Sequence, residues 1–75
     1  MDEVKRTAAV IRQARLMLGL TQMDVAGIAG INLGQYQRLE YGIRPLSACS
    51  MKVGLSICYA LHLDPFLLVL HKTEW

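Results

Sequence analysis

The chain has too few cysteines for a disulfide framework. Cys49 and Cys58 are the only two in 75 residues, and eight others separate them with no CxxC pair, so the expectation is two reduced thiols in a cytoplasmic protein. Long apolar runs are missing too. None approaches the ~20 residues of a membrane span, and the opening MDEVKRTAAVIRQAR carries acids and bases where a signal peptide would have an apolar core. Charged residues make up only 19% of the chain against 53% hydrophobic, which excludes a disordered polymer and leaves enough apolar surface for one core. Internal repeats, low-complexity segments and strand-like alternation are absent. The expectation is a single all-α domain over residues 1–75.

Net charge is only +2, which permits nucleic-acid binding without demanding it. Its distribution says a little more, though Asp2, Glu3, Asp24 and Glu40 stand in the same stretch as most of the bases. Lys5, Arg6, Arg12, Arg15, Arg38 and Arg44 place six of the eight basic residues in the first forty-four positions.

Glu3 to Leu18 contains no Gly or Pro, and Val4, Ala8, Ile11, Ala14 and Leu18 recur at three- and four-residue steps, the spacing of one amphipathic helix. Gly19 ends it. Thr21 is an N-cap residue, and Gln22 to Ala29 reads as a short helix with Val25, Ala26 and Ala29 inward. Gly30 breaks that helix, Ile31 returns to the core, and Asn32 caps a third helix from Leu33 to Tyr41 that buries Tyr36 and Leu39 before Gly42. Ile43 to Ser50, with Pro45, reads as a loop in which Ile43 or Leu46 packs inward. A fourth helix, about Met51 to Leu61, groups Gly54, Ile57, Cys58 and Leu61 on one face. Asp64 and Pro65 then open a last helical turn or two through Leu70.

The run LGLTQMDVAGIAGINLGQYQRLEYG, Leu18 to Gly42, resembles the phage repressor and Cro-like (XRE-type) helix-turn-helix family. Leu-Gly-Leu-Thr-Gln opens the motif, a small Ala26 lies in its first helix, and Leu39-Glu40-Tyr41-Gly42 closes it. The likeness continues more weakly through Tyr59-Ala60-Leu61 and Asp64 to Val69. It implies a five-helix lambda-repressor-like domain with the motif at about 21–41, and sequence-specific DNA binding by a transcriptional regulator of the repressor type. Ala26 is small where the two helices of the motif cross. The resemblance further implies a buried ion pair between Arg15 and Glu40, in which removal of one partner strands the other charge and costs on the order of 3 to 5 kcal/mol.

Phosphate contacts fix position and base contacts give specificity. By resemblance Gln22, following the Thr21 cap, bonds a backbone phosphate, helped by the amides that start its helix. Asn32 and Tyr41 bracket the next helix and are placed to do the same, and Arg44 is an electrostatic contact from the loop. The outward positions of that helix are Leu33, Gly34, Gln35, Gln37 and Arg38. Arg38 has the donors for a guanine and Gln37 or Gln35 for an adenine, while Leu33 reads only a thymine methyl group or groove shape. Gly34 weakens the helix by about 1 kcal/mol relative to Ala unless close approach of DNA is its reason.

One such domain covers a half-site, so a homodimer is expected. The apolar run Phe66, Leu67, Leu68, Val69, Leu70 supplies an interface centred on Phe66, Leu67 and Leu70, with Trp75 as a further candidate; the alternative is that the run packs under the first and fourth helices. A different reading is a protein-interaction module, an antitoxin or assembly partner. Cys49, Cys58, His62 and His71 lack the spacing of zinc ligands, and no nucleophile with its base and orienting group is recognisable. Gly27, Gly30 and Gly34 form no phosphate-binding loop. Met17, Met23 and Met51 read as core or interface filler. The expectation is no enzyme, no metal and no cofactor.

Overall fold

The computed structural model describes residues 3–70. His71 and Trp75 lie outside the described residues, as do the side chains of Val69 and Leu70. Five α-helices and one turn of 3-10 helix follow in order: α1 (Glu3–Met17), α2 (Gln22–Ala29), α3 (Leu33–Glu40), the 3-10 turn Leu46–Ala48, α4 (Met51–Leu61) and α5 (Pro65–Leu70). No strand occurs among the described residues. None of these helices is long and apolar enough to cross a membrane.

The two short helices α2 and α3 start in the same way, with reciprocal capping boxes. The Thr21 hydroxyl accepts from the Asp24 amide at 3.0 Å, and Asp24 Oδ2 accepts from the Thr21 amide at 2.9 Å. At α3, Asn32 Oδ1 accepts from the Gln35 amide at 2.8 Å and Gln35 Oε1 from the Asn32 amide at 3.2 Å. Both boxes satisfy two amides that the helix itself leaves open, which matters in helices of eight residues. Asp24 was not among the residues expected to shape the motif. Its carboxyl is held below the usual range, first by the Thr21 amide and then by the Thr21 hydroxyl.

Three helix ends depart from the expected pattern, each for a local reason. α1 stops at Met17, one residue early, because the chain turns left-handed at Gly19 (φ 71°) and the Leu20 amide bonds back to the Arg15 carbonyl at 3.1 Å. Leu18 therefore stands in the turn, exposed, rather than on the inner face of α1. α3 ends at Glu40 with Tyr41 as its cap residue, since the Ile43 amide closes onto the Arg38 carbonyl at 2.9 Å across a left-handed Gly42. α4 closes by the same wiring, Leu63 amide to Cys58 carbonyl at 2.9 Å, but the left-handed position is His62 (φ 57°).

The core runs through all five helices: Ile11, Val25, Tyr36 and Ile57 are fully buried, joined by Ala26, Leu39, Leu46, Cys58, Leu61 and Leu68. The central helix is α2, which packs on both α3 and α4, while α1 closes on α3 and α5 bridges α1 and α4. Burial of Ala26 follows, because a helix flanked on two sides admits only a small residue at its crossing. Of the two loop residues expected inward, Leu46 is the one, 4% exposed against 70% for Ile43. Met17, Met23 and Met51 are all strongly exposed, so none is core filler. The apolar tail divides: Leu68 is in the core while Phe66 and Leu67 remain about half exposed.

An L-residue in the left-handed region is strained, and His62 adopts it at φ 57°. His62→Gly is expected to raise unfolding stability by roughly 0.5–1 kcal/mol, read as a higher urea midpoint at unchanged slope. Gly30→Ala, at φ 72°, should move the midpoint the other way.

Candidate nucleic-acid interface

The site is organised around a buried ion pair. Arg15, near the end of α1, reaches Glu40, the last residue of α3, through two parallel bonds: Nε to Oε2 at 2.9 Å and Nη2 to Oε1 at 2.8 Å. Its Nη1 donates to the Leu20 carbonyl at 2.9 Å, tying the turn before α2 into the same fork. The side chains are 12% and 1% exposed, so the carboxylate sits almost out of water. Burial alone raises the Glu40 pKa, but the bonds from Arg15 and Gln22, the neighbouring Tyr36 hydroxyl and the Arg15 charge outweigh it and hold the acid below its usual range. Among the described residues the buried Tyr36 hydroxyl has no hydrogen-bond partner within bonding geometry, and burial followed by the Glu40 carboxylate pushes its ionisation upward.

Gln22, the first residue of α2, extends this centre to the surface. Its Nε2 donates to Glu40 Oε1 at 3.2 Å and to the Tyr41 hydroxyl at 3.3 Å, while its Oε1 accepts from Gln37 Nε2 at 3.1 Å. Three residues expected to touch DNA, Gln22, Gln37 and Tyr41, are thereby brought together at one edge of α3. Sequence reasoning assigned Gln22 a phosphate as its partner and gave no sign of these internal bonds, which engage both ends of its amide.

A second group lies on the other flank of α3. Gln35, Arg38 and Arg44 line an open hollow of about 290 Å³ together with Ile31, Leu39, Cys49, Ser50 and Val53. Arg38 is exposed with no side-chain bond or ion pair among the described residues, whereas Arg44 donates from Nη2 to the Ala48 carbonyl at 3.1 Å. No acid lines this hollow. Ser50, which sequence reasoning passed over, caps α4 by accepting from the Val53 amide at 3.2 Å; a Ser directly before a helical run was the available signal.

The remaining expected residues are placed less openly. Thr21, Asn32 and one end of Gln35 are occupied by the caps described above, and Leu33 and Gly34 are half-buried. A Cβ added at Gly34 would meet only Asn32 Oδ1 at 3.5 Å, an ordinary contact, so nothing inside the chain demands glycine there. Phe66 and Leu67 lie on α5, about half exposed. Leu67 borders a separate hollow with Arg6, Val10, Leu63, Asp64 and Leu68, where Arg6 Nη2 donates to the Leu68 carbonyl at 2.5 Å. Cys58 is buried, and burial followed by Asp64 pushes its thiol up. Among the described residues no three of His, Cys, Asp and Glu gather as a metal site.

Comparison with family models, with curated proteins and with solved structures found no match to this chain.

Because the folded pKa of Glu40 is depressed, the folded state binds fewer protons than the unfolded one. The stability this contributes is complete above the unfolded value and is lost as pH falls through the folded one. Arg15→Ala is expected to lower unfolding stability at pH 7 by on the order of 3 to 5 kcal/mol. Urea unfolding followed from pH 7 downward should show wild-type stability dropping below about pH 4.3, with the drop blunted in Glu40→Gln.

Proposed function

We propose that the chain is a helix-turn-helix DNA-binding domain of the phage repressor and Cro-like kind, in which α2 and α3 form the motif and α3 enters the major groove. It acts as a sequence-specific transcriptional regulator of the repressor type, as a homodimer in the cytoplasm. The observation that carries the reading is the inward turn of Glu40. It is the only acid on α3, and the ion pair with Arg15 takes it out of the surface, so α3 meets a polyanion with Gln35, Gln37 and Arg38 and without a repelling carboxylate.

In this reading Arg38 is the strongest base contact, a guanidinium free to bond a guanine edge, and Gln37 approaches an adenine from the position that Gln22 gives it. Arg44, and Tyr41 with Gln22 on the opposite flank, hold the phosphates on either side of the groove. Gln22 makes that contact by exchanging internal bonds for external ones, since both its amide hydrogens are already used. Leu33 and Gly34 add shape rather than hydrogen bonds. A protein-interaction role, as an antitoxin or assembly partner, is favoured by one feature, the exposed apolar residues of α4 and α5, and is compatible with DNA binding.

A duplex selected by the wild-type protein from a random pool provides the test. Arg38→Ala should lower affinity for that duplex by ~1–3 kcal/mol and relax the preference at one base pair. Arg44→Ala should weaken binding evenly across sequences and reduce the slope of log K against log salt by about 1. Fluorescence titration at two salt concentrations measures both. Absence of binding at low salt, or indifference to both substitutions, overturns the reading.

A further inference from the structure

The helix α4 is apolar on sides that should differ. Its inner side supplies Ile57, Cys58, Ala60 and Leu61 to the core. Its outer side carries Met51, Leu55 and Tyr59, spaced four residues apart, and these are 80%, 48% and 79% exposed. A surface helix normally opposes its apolar face with charge, and one that is hydrophobic all round is normally covered. Lys52 is the only charged residue in α4.

Beside this stripe lies an open hollow of about 370 Å³, lined by Leu46, Met51, Gly54, Leu55, Cys58 and Pro65 together with Ser47, Cys49 and Ser50. Gly54 is part of it, in mid-helix. A Cβ there would meet nothing within 4 Å, so packing inside the chain does not call for glycine, and its bare backbone leaves the hollow open to a side chain from outside.

We propose that this outer face of α4 is where two copies of the chain pair, α4 against α4 and antiparallel, about a two-fold axis near Leu55. The inference deepens the homodimer reading above, and rests on it only in supposing that the molecule acts as a pair. The stripe is symmetric about its middle: with Leu55 opposite Leu55 of the partner, Met51 of each copy faces Tyr59 of the other, which is what an isologous contact requires. Each copy then brings a knob, Met51 or Tyr59, and a hollow to receive it. Charge agrees. In this register the two Lys52 side chains stand toward opposite ends of the helix pair, six residues out of step and so separated by roughly 9 Å along the axis, about one Debye length.

The area is adequate and modest. A ring of the size of Tyr59 buries roughly 150–250 Å². With Met51, Leu55 and the rim of the hollow from both copies, the contact reaches on the order of 1,000 Å², the low end for a specific interface. The pairing is therefore reversible. It also differs from the tail interface expected from the sequence, because Leu67 borders the hollow on the α1 side and not this one.

Sedimentation of the full chain from micromolar to millimolar concentration tests the proposal. The wild-type protein should pass from monomer to dimer across that range, and Leu55→Glu and Tyr59→Glu should each raise the dissociation constant at least tenfold while keeping the helical circular dichroism. Tyr59 is exposed enough for its substitution to leave the fold intact if Leu55→Glu does not. Gly54→Ala should weaken the dimer several-fold without lowering the melting temperature of the dilute monomer, a split that a purely internal role would not produce. Leu67→Glu should leave the dimer unchanged. A wild-type chain that stays monomeric throughout, or a dimer indifferent to Leu55→Glu and Tyr59→Glu but lost in Leu67→Glu, overturns the proposal. The DNA titration separates the two readings: a monomer that binds duplex removes this interface and the homodimer but leaves DNA binding, whereas a Leu55-dependent dimer that ignores duplex does the reverse.

Discussion

The pair between Arg15 and Glu40 is the constraint on which the arrangement of the first three helices depends. A carboxylate that is 1% exposed costs several kcal/mol in desolvation unless its charge is met and its lone pairs are filled. In this protein both conditions are satisfied only when the end of α1, the turn at Leu20 and the ends of α3 and of Gln22 converge within hydrogen-bond distance. Arg15 and Glu40 stand 25 residues apart in the chain, so their meeting fixes how α1 lies across α3. The two-pronged geometry fixes orientation as well as distance, because a planar guanidinium aligns a carboxylate along both of its bonds. Tyr36, fully buried, lies beside the pair.

From that centre the same bonds run outward. Gln22 has two amide hydrogens and one carbonyl oxygen, and it spends them on Glu40, Tyr41 and Gln37. The polar edge of α3 is therefore preorganised by the interior. Because Gln22 gives both of its amide hydrogens to Glu40 and Tyr41, any outside acceptor would have to compete with these two for them, and the setting of Gln37 is tied to the same side chain. Arg38, on the other flank, is exposed and has no such tether among the described residues.

The helix ends and α4 show a second kind of economy. α1, α2, α3 and α4 all close with an amide bonded back five residues to a carbonyl, and in three of them glycine takes the left-handed position. At the fourth, His62 accepts the strain. α4 then leads into α5, where the Asp64 carboxylate accepts from the Phe66 amide at 2.8 Å, so the reversal is held at both sides even without glycine. Both ends of α4 are thus held, while none of the described residues covers its outer apolar stripe.

Local chemistry made much of this legible from the sequence. Gly19, Gly30 and Gly42 mark turns, Thr21, Asn32 and Asp64 mark helix starts, and the three- or four-residue steps from Ala8 to Ile11, Val25 to Ala29, Tyr36 to Leu39 and Ile57 to Leu61 mark the inward faces, because each is decided by neighbours within one or two helical turns. The Arg15 to Glu40 contact entered the reading through resemblance, and periodicity alone would have left Arg15 on the surface. What the sequence by itself determined is the number of helices, where they begin and nearly where they end. Tertiary structure alone decided that Leu46 rather than Ile43 turns inward, that Leu68 is buried while Leu67 is not, that Gln22 and Gln37 meet, and that Met51 and Tyr59 lie outside the core. Each of those outcomes depends on where a distant helix happens to lie, and a local pattern of apolar residues names a face without saying what will cover it.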